Sequence, residues 1–152
     1  MVRKRKRNIP IIERYEVEVE DWAVDYYFGL APENIIEGVY WEGSGLIIMG
    51  KLISHVLDIV NGVRVKINAD PQLDDYCKPN PTIISAKAIG WMEILRDNTM
   101  EFSCSVPSYS LSYLAQAGHA NRIKYISITG TKLRYKQGTV RHINLSSQKE
   151  DE

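Results

Sequence analysis

The run Arg14-Tyr15-Glu16-Val17-Glu18-Val19-Glu20 alternates without interruption between charged and apolar or aromatic residues. Successive side chains of a β-strand point to opposite faces. The run therefore sets Tyr15, Val17 and Val19 on one face and Glu16, Glu18 and Glu20 on the other. This is a half-buried antiparallel strand with an acidic face turned to water, and it commits the front of the chain to a sheet. The alternation continues more loosely through Trp22, Val24, Tyr26 and Phe28.

Further strands follow. Residues 38–42 and 46–53 flank Gly43-Ser44 and read as a hairpin turning there. Residues 63–67 alternate again after Asn61-Gly62. Residues 82–91 and 100–104 supply two more strands with a turn near Asp97-Asn98. Over 46–60 the polar residues Lys51, Ser54, His55 and Asp58 also fit an amphipathic helix; Gly50 and the preceding turn favour a strand to about Ile53. One helix is predicted at about 108–117. Pro107 stands near its first turn, Leu111, Leu114 and Ala115 recur at helical spacing, and Gly118 takes the capping position. The predicted fold is mainly β, an antiparallel barrel or sandwich of about eight strands with one short helix.

A chain of 152 residues with 44% hydrophobic and 25% charged residues is long enough and apolar enough for one cored domain. The expected organisation is a basic flexible arm at 1–10, a single β-rich domain at 11–146 and an acidic tail at 147–152. The basic start is followed by no apolar run of signal-peptide length, and no stretch approaches the roughly 20 apolar residues that cross a bilayer. The expectation is a cytoplasmic protein with no membrane partner.

Catalytic and metal signatures are lacking. Cys77 and Cys104 share no metal-type spacing with His55, His119 or His142, and Cys104 alternates with Phe102 as a small apolar side chain would. The segment 70–81 holds three carboxylates and three prolines but no EF-hand spacing, and reads as a solvated connection. No phosphate-binding loop, dinucleotide fingerprint or nucleophile elbow is present. No catalytic residue, metal ligand or cofactor is assigned, and a non-enzymatic binding module is favoured over an enzyme.

Charge is where the sequence speaks of function. Nineteen basic and nineteen acidic side chains cancel overall, yet they are segregated. Residues 13–42 set nine carboxylates against Arg14 alone, whereas 122–145 contains Arg122, Lys124, Lys132, Arg134, Lys136 and Arg141 with no carboxylate. A hairpin turning at Gln137-Gly138 sets Arg134 opposite Arg141. It gathers Lys132, Arg134, Lys136 and Arg141 on one face, with Leu133, Tyr135, Val140 and His142 on the other. Like charges facing one another are destabilising unless an anion compensates. The leading reading is nucleic acid, with Arg3, Lys4 and Arg5 of the arm adding contacts. One alternative places the acidic first strand beside the basic hairpin within the chain. A second is assembly, with the acidic face of one copy, or of a protein partner, meeting the basic face. A third is a small β-barrel enzyme or ligand binder.

Overall fold

The computed structural model describes residues 9–30, 40–75 and 88–149. Seven strands, β1 (Ile12–Leu30), β2 (Tyr40–Ser54), β3 (Gly62–Asp70), β4 (Gly90–Ile94), β5 (Thr99–Pro107), β6 (Tyr125–Thr131) and β7 (Gln137–Ser146), close into a barrel in the order β1-β2-β3-β5-β4-β7-β6. The helix α1 (Ser108–His119) joins β5 to β6. The fold is mainly β with one helix, as expected, and the architecture is a barrel. It is mixed rather than purely antiparallel. Because β4 folds back between β5 and β7, β3 meets β5 in parallel, Gly62 beside Thr99 and Asp70 beside Pro107.

Alternation builds the core. Tyr15 and Val17 of β1 point inward together with Leu46, Ile48, Val63, Val65, Ile67, Met92, Met100, Phe102, Cys104, Ile126, Ile128 and Val140. Fully burying one such aliphatic or aromatic side chain is worth about 1.5–3 kcal/mol, so the period-2 pattern is the main source of stability. Cys104 behaves as the small apolar residue expected: burial pushes its thiol up to about 12, leaving it protonated at neutral pH.

The segment 46–60 is strand as far as Ser54. Gly50 serves close strand contact there, since a Cβ would collide with the Glu18 carbonyl. Gly43-Ser44, by contrast, makes no turn. Both lie within β2, Gly43 opposite Tyr27 and Ser44 opposite Tyr26, because the Tyr27 ring lies over Gly43 where a side chain would clash. β1 pairs with β6 only over residues 12–18, and β3 pairs with β2 only over residues 45–50 of β2. The remainder of β1 and β2 is a two-stranded ribbon carrying exposed Val24, Tyr26, Tyr27 and Phe28. Asp97-Asn98 does turn, with Asn98 at φ 63° between β4 and β5. Residues 82–87 of the expected strand lie outside the described residues.

The helix extends to His119, two residues beyond expectation. Gly118 is not its cap. It is buried beneath Trp22, whose ring would lie 3.2 Å from an added Cβ, and Asn121 at φ 55° makes the left-handed turn instead. At the other end Pro107 offers no capping side chain. Asp74, from the 3₁₀ turn at Pro71–Asp75, accepts the Ser108 N–H at 2.6 Å and the Ser108 hydroxyl. A carboxylate read as solvated thus meets the positive end of the helix dipole. No helix among the described residues is long and apolar enough to cross a membrane.

Candidate nucleic-acid interface

β6 and β7 are joined by a turn two residues earlier than the sequence suggests. Arg134 and Gln137 exchange both backbone hydrogen bonds, at 2.8 and 2.9 Å, around Tyr135 (φ 51°) and Lys136 (φ 65°). Two central residues of positive φ make a type I′ turn, a conformation that glycine and asparagine adopt most readily. Gly138 is committed elsewhere: a Cβ there would stand 2.7 Å from Met92 Cε and 2.9 Å from the Thr131 carbonyl. The glycine serves packing at the root of the hairpin, and the turn falls on Tyr-Lys.

This register separates Arg134 from Arg141. Arg134 faces Gln137, and Arg141 occupies a bulge, since Gly130 pairs with Val140 while Thr129 pairs with His142. The extra residue reverses the alternation along β7. Val140 is buried, Ile143 and Leu145 pack on the core, and His142 is exposed rather than on the apolar face. Tyr135 does not share the packing of Leu133; it is 100% exposed at the tip.

The basic residues fall into two groups. Lys132, Arg134 and Lys136 surround the turn, with Arg141 farther along β7, and all four are exposed. Arg122 and Lys124 lie at the opposite end of β6, where Arg122 N–H bonds to the Ala117 carbonyl and Lys124 N–H to that of Ser146. Eight residues of nearly extended chain separate Lys124 from Lys132, about 25 Å. Residues Arg3, Lys4 and Arg5 lie outside the described residues. Their point of attachment does not: Lys132 N–H donates to the Ile11 carbonyl at 2.8 Å, so the chain enters the fold beside the basic turn.

Among the described residues, none of Lys132, Arg134, Lys136 and Arg141 forms an ion pair. The acidic stripe of β1 lies against β6, not β7, Glu16 opposite Ser127 and Glu18 opposite Tyr125. Its charges are matched locally, Glu16 by Arg14 at 2.9 Å and Glu18 by Lys51 at 2.9 Å. Intramolecular covering of the basic hairpin by this stripe is therefore not how the chain folds. The same local pairing engages two of the three carboxylates on the face expected to drive assembly.

Two exposed aromatics flank the cations, an arrangement that the alternation could not reveal. Tyr135 is one. The other is Trp91 of β4, 43% exposed and opposite Thr139 of β7. Between Trp91 and the turn lies a hollow of about 240 Å³, edged by Glu93 and Gln137, which hydrogen-bond at 3.3 Å. A Gly or Asn at 135–136 would have marked the turn in the sequence; Tyr-Lys does not.

Elsewhere, the Tyr15 hydroxyl donates to Glu13 at 2.9 Å, and His55 Nε2 lies 3.2 Å from the same carboxylate oxygen. Burial, with Glu13 beside it, pushes the Tyr15 phenol well above its usual range, so it is a fixed donor at neutral pH. Among the described residues no three His, Cys, Asp or Glu side chains converge as metal ligands. Comparison with protein-family models, curated proteins and solved structures found no match in any of the three.

Proposed function

We propose that this chain is a non-enzymatic binding module that contacts single-stranded nucleic acid through the β6–β7 turn. The observation that carries the reading is Tyr135, fully exposed and flanked in sequence by Arg134 and Lys136. A non-glycine residue at positive φ costs of order 1 kcal/mol or more, and two in succession are a cost that stability alone gives no reason to retain. A tyrosine held out in water stacks on any base, because every base offers a π-face, and flanking cations neutralise the phosphates on either side. Lys132 and Arg141 extend the positive surface, and Ile11, on the segment that follows Arg3, Lys4 and Arg5 in sequence, is bound to Lys132. Trp91 offers a second stacking surface next to the turn. Arg122 and Lys124, at the far end of β6, serve a long strand but not the contact at the tip.

The test is fluorescence anisotropy of labelled oligo-dT and oligo-U of about a dozen nucleotides across a salt series. Each phosphate contact contributes about 0.7 to the log–log salt slope on single strands, so three or four contacts give a slope of about 2 to 3. Tyr135→Ala is expected to weaken binding by roughly 5- to 100-fold, the loss of one stacked base. Absence of binding to either oligomer at low salt contradicts the proposal.

A further inference from the structure

A second polar concavity lies across the barrel from the basic turn, on the outer face of β1, β2 and β3 at the root of the ribbon. It is a groove of about 400 Å³, within the range of small-molecule sites. Its geometry follows from the register. Asp25 of β1 pairs with Gly45 of β2, and Gly45 pairs with Asn68 of β3. Adjacent strands are about 4.8 Å apart, so Asp25 and Asn68 face each other across roughly 10 Å. Gly45 between them has no side chain, and the Asn68 amide oxygen leans over it.

The groups around that space are complementary to one kind of ligand. Asp25 is exposed and makes no ion pair among the described residues, so its two carboxylate oxygens are available as acceptors. Asn68 Nδ2 donates to Ser103 Oγ at 3.3 Å, which leaves Oδ1 beside Gly45, 3.2 Å from where a Cβ would stand. Lys66 supplies ammonium donors; it shares the Glu101 carboxylate, at 3.1 Å, with Arg64, at 3.0 Å, so one carboxylate meets two cations and positive charge remains beside the groove. Tyr27 forms an aromatic wall, its ring against Gly43 and the residue 46% exposed. Asp25 disfavours an anion and Lys66 disfavours a cation. What remains is a neutral molecule whose adjacent groups both donate and accept hydrogen bonds and which has an apolar face for the aromatic ring.

We infer that this groove binds a neutral saccharide ring, with vicinal hydroxyls bridging Asp25 and Asn68, a further hydroxyl accepting from Lys66, and the C–H face packed on Tyr27. The site shares no residue with the basic turn, so either stands if the other fails.

The test is titration of the ¹⁵N-labelled full chain with glucose, galactose, mannose and N-acetylglucosamine, each to about 50 mM, because a ligand of about a dozen heavy atoms binds in the millimolar range. At least one sugar is expected to give saturable amide shifts centred on Gly43, Gly45 and Asn68. Gly45→Ala, whose methyl occupies the floor, abolishes them with the remaining spectrum unchanged. Asn68→Ala, an exposed position tied only to Ser103, keeps the fold and weakens binding at least tenfold even if the glycine variant is perturbed. Absence of saturable shifts with all four sugars, or shifts that survive Asn68→Ala undiminished, overturns the assignment.

Discussion

The β1–β2 ribbon and the β6–β7 turn both reach beyond the barrel, and they use their residues in opposite ways. Glycines admit the ribbon's aromatic side chains: Gly43 of β2 lies under Tyr27, and at the base Gly118 of α1 lies under Trp22. In the hairpin, Gly130 and Gly138 admit Met92 at the root, while the turn itself is made by Tyr135 and Lys136 in a conformation that glycine would adopt without strain. The ribbon presents Asp21 and Asp25 with an aromatic surface, the turn three cations around one tyrosine. One projection is arranged for packing, and the other carries backbone strain at an exposed aromatic. Strain retained at an exposed position points to contact with something outside the chain.

The largest expected effect distinguishes the glycines of the two projections. At Gly130 a side chain would run into the Thr139 carbonyl and Met92, whereas at Gly43 it meets only the far end of the Tyr27 side chain. Gly130→Val is expected to cost more than about 3 kcal/mol in urea unfolding, and Gly43→Ala about 1 kcal/mol or less. Equal costs would break the comparison.

Next comes the helix on which the ribbon rests. Asp74→Ala removes the acceptor for the first turn of α1 and is expected to cost about 1–2 kcal/mol. Because Trp22 packs on the far end of that helix, the emission of Trp22 is expected to shift red, with the amide resonances of residues 132–138 unmoved. Changes at both projections would mean that they are coupled through the barrel.

A pH series separates the barrel from either projection. The Cys104 thiol stands at about 12 when folded against 9.0 as the ordinary value, so between these the native state holds a proton that the unfolded chain loses. Stability is therefore full below pH 9 and falls as pH rises toward 12. Denaturant midpoints between pH 9 and 10, below the range where the buried Tyr15 phenol adds a decline of its own, check it, and Cys104→Ala is expected to flatten it there.

The smallest effect concerns the two groups of cations. Lys132→Gln and Arg134→Gln are each expected to lower the salt slope of oligo-dT binding by about 0.7, with Arg122→Gln leaving it unchanged. A fall with Arg122→Gln as well would mean that the strand runs the length of β6.

The strands β1, β3 and β5 and their share of the core were legible in the alternation, because the interior faces of β1 as far as Val19, of β3 and of β5 follow period two, whereas β6 at Tyr125–Thr131 was not anticipated. What escaped the sequence were the places where tertiary contact decides. Gly43, Gly118 and Gly138 all resemble turn or cap signals, and each is required for close approach by Tyr27, Trp22 or Met92. The parallel pairing of β3 with β5 has no local signature at all. The bulge at Arg141 reverses the faces of β7, so the basic residues were identifiable but their arrangement was not.

The central claim is that the turn retains strain for the sake of contact, and replacing Tyr135-Lys136 with Asn-Gly tests it most directly, with thermal melts and oligo-dT anisotropy on the same preparation. Asn-Gly suits both left-handed positions, so stability is expected to rise by about 1–2 kcal/mol while oligo-dT affinity falls at least tenfold. A stabilised variant that binds as tightly as the original, or a destabilised one, would contradict the account.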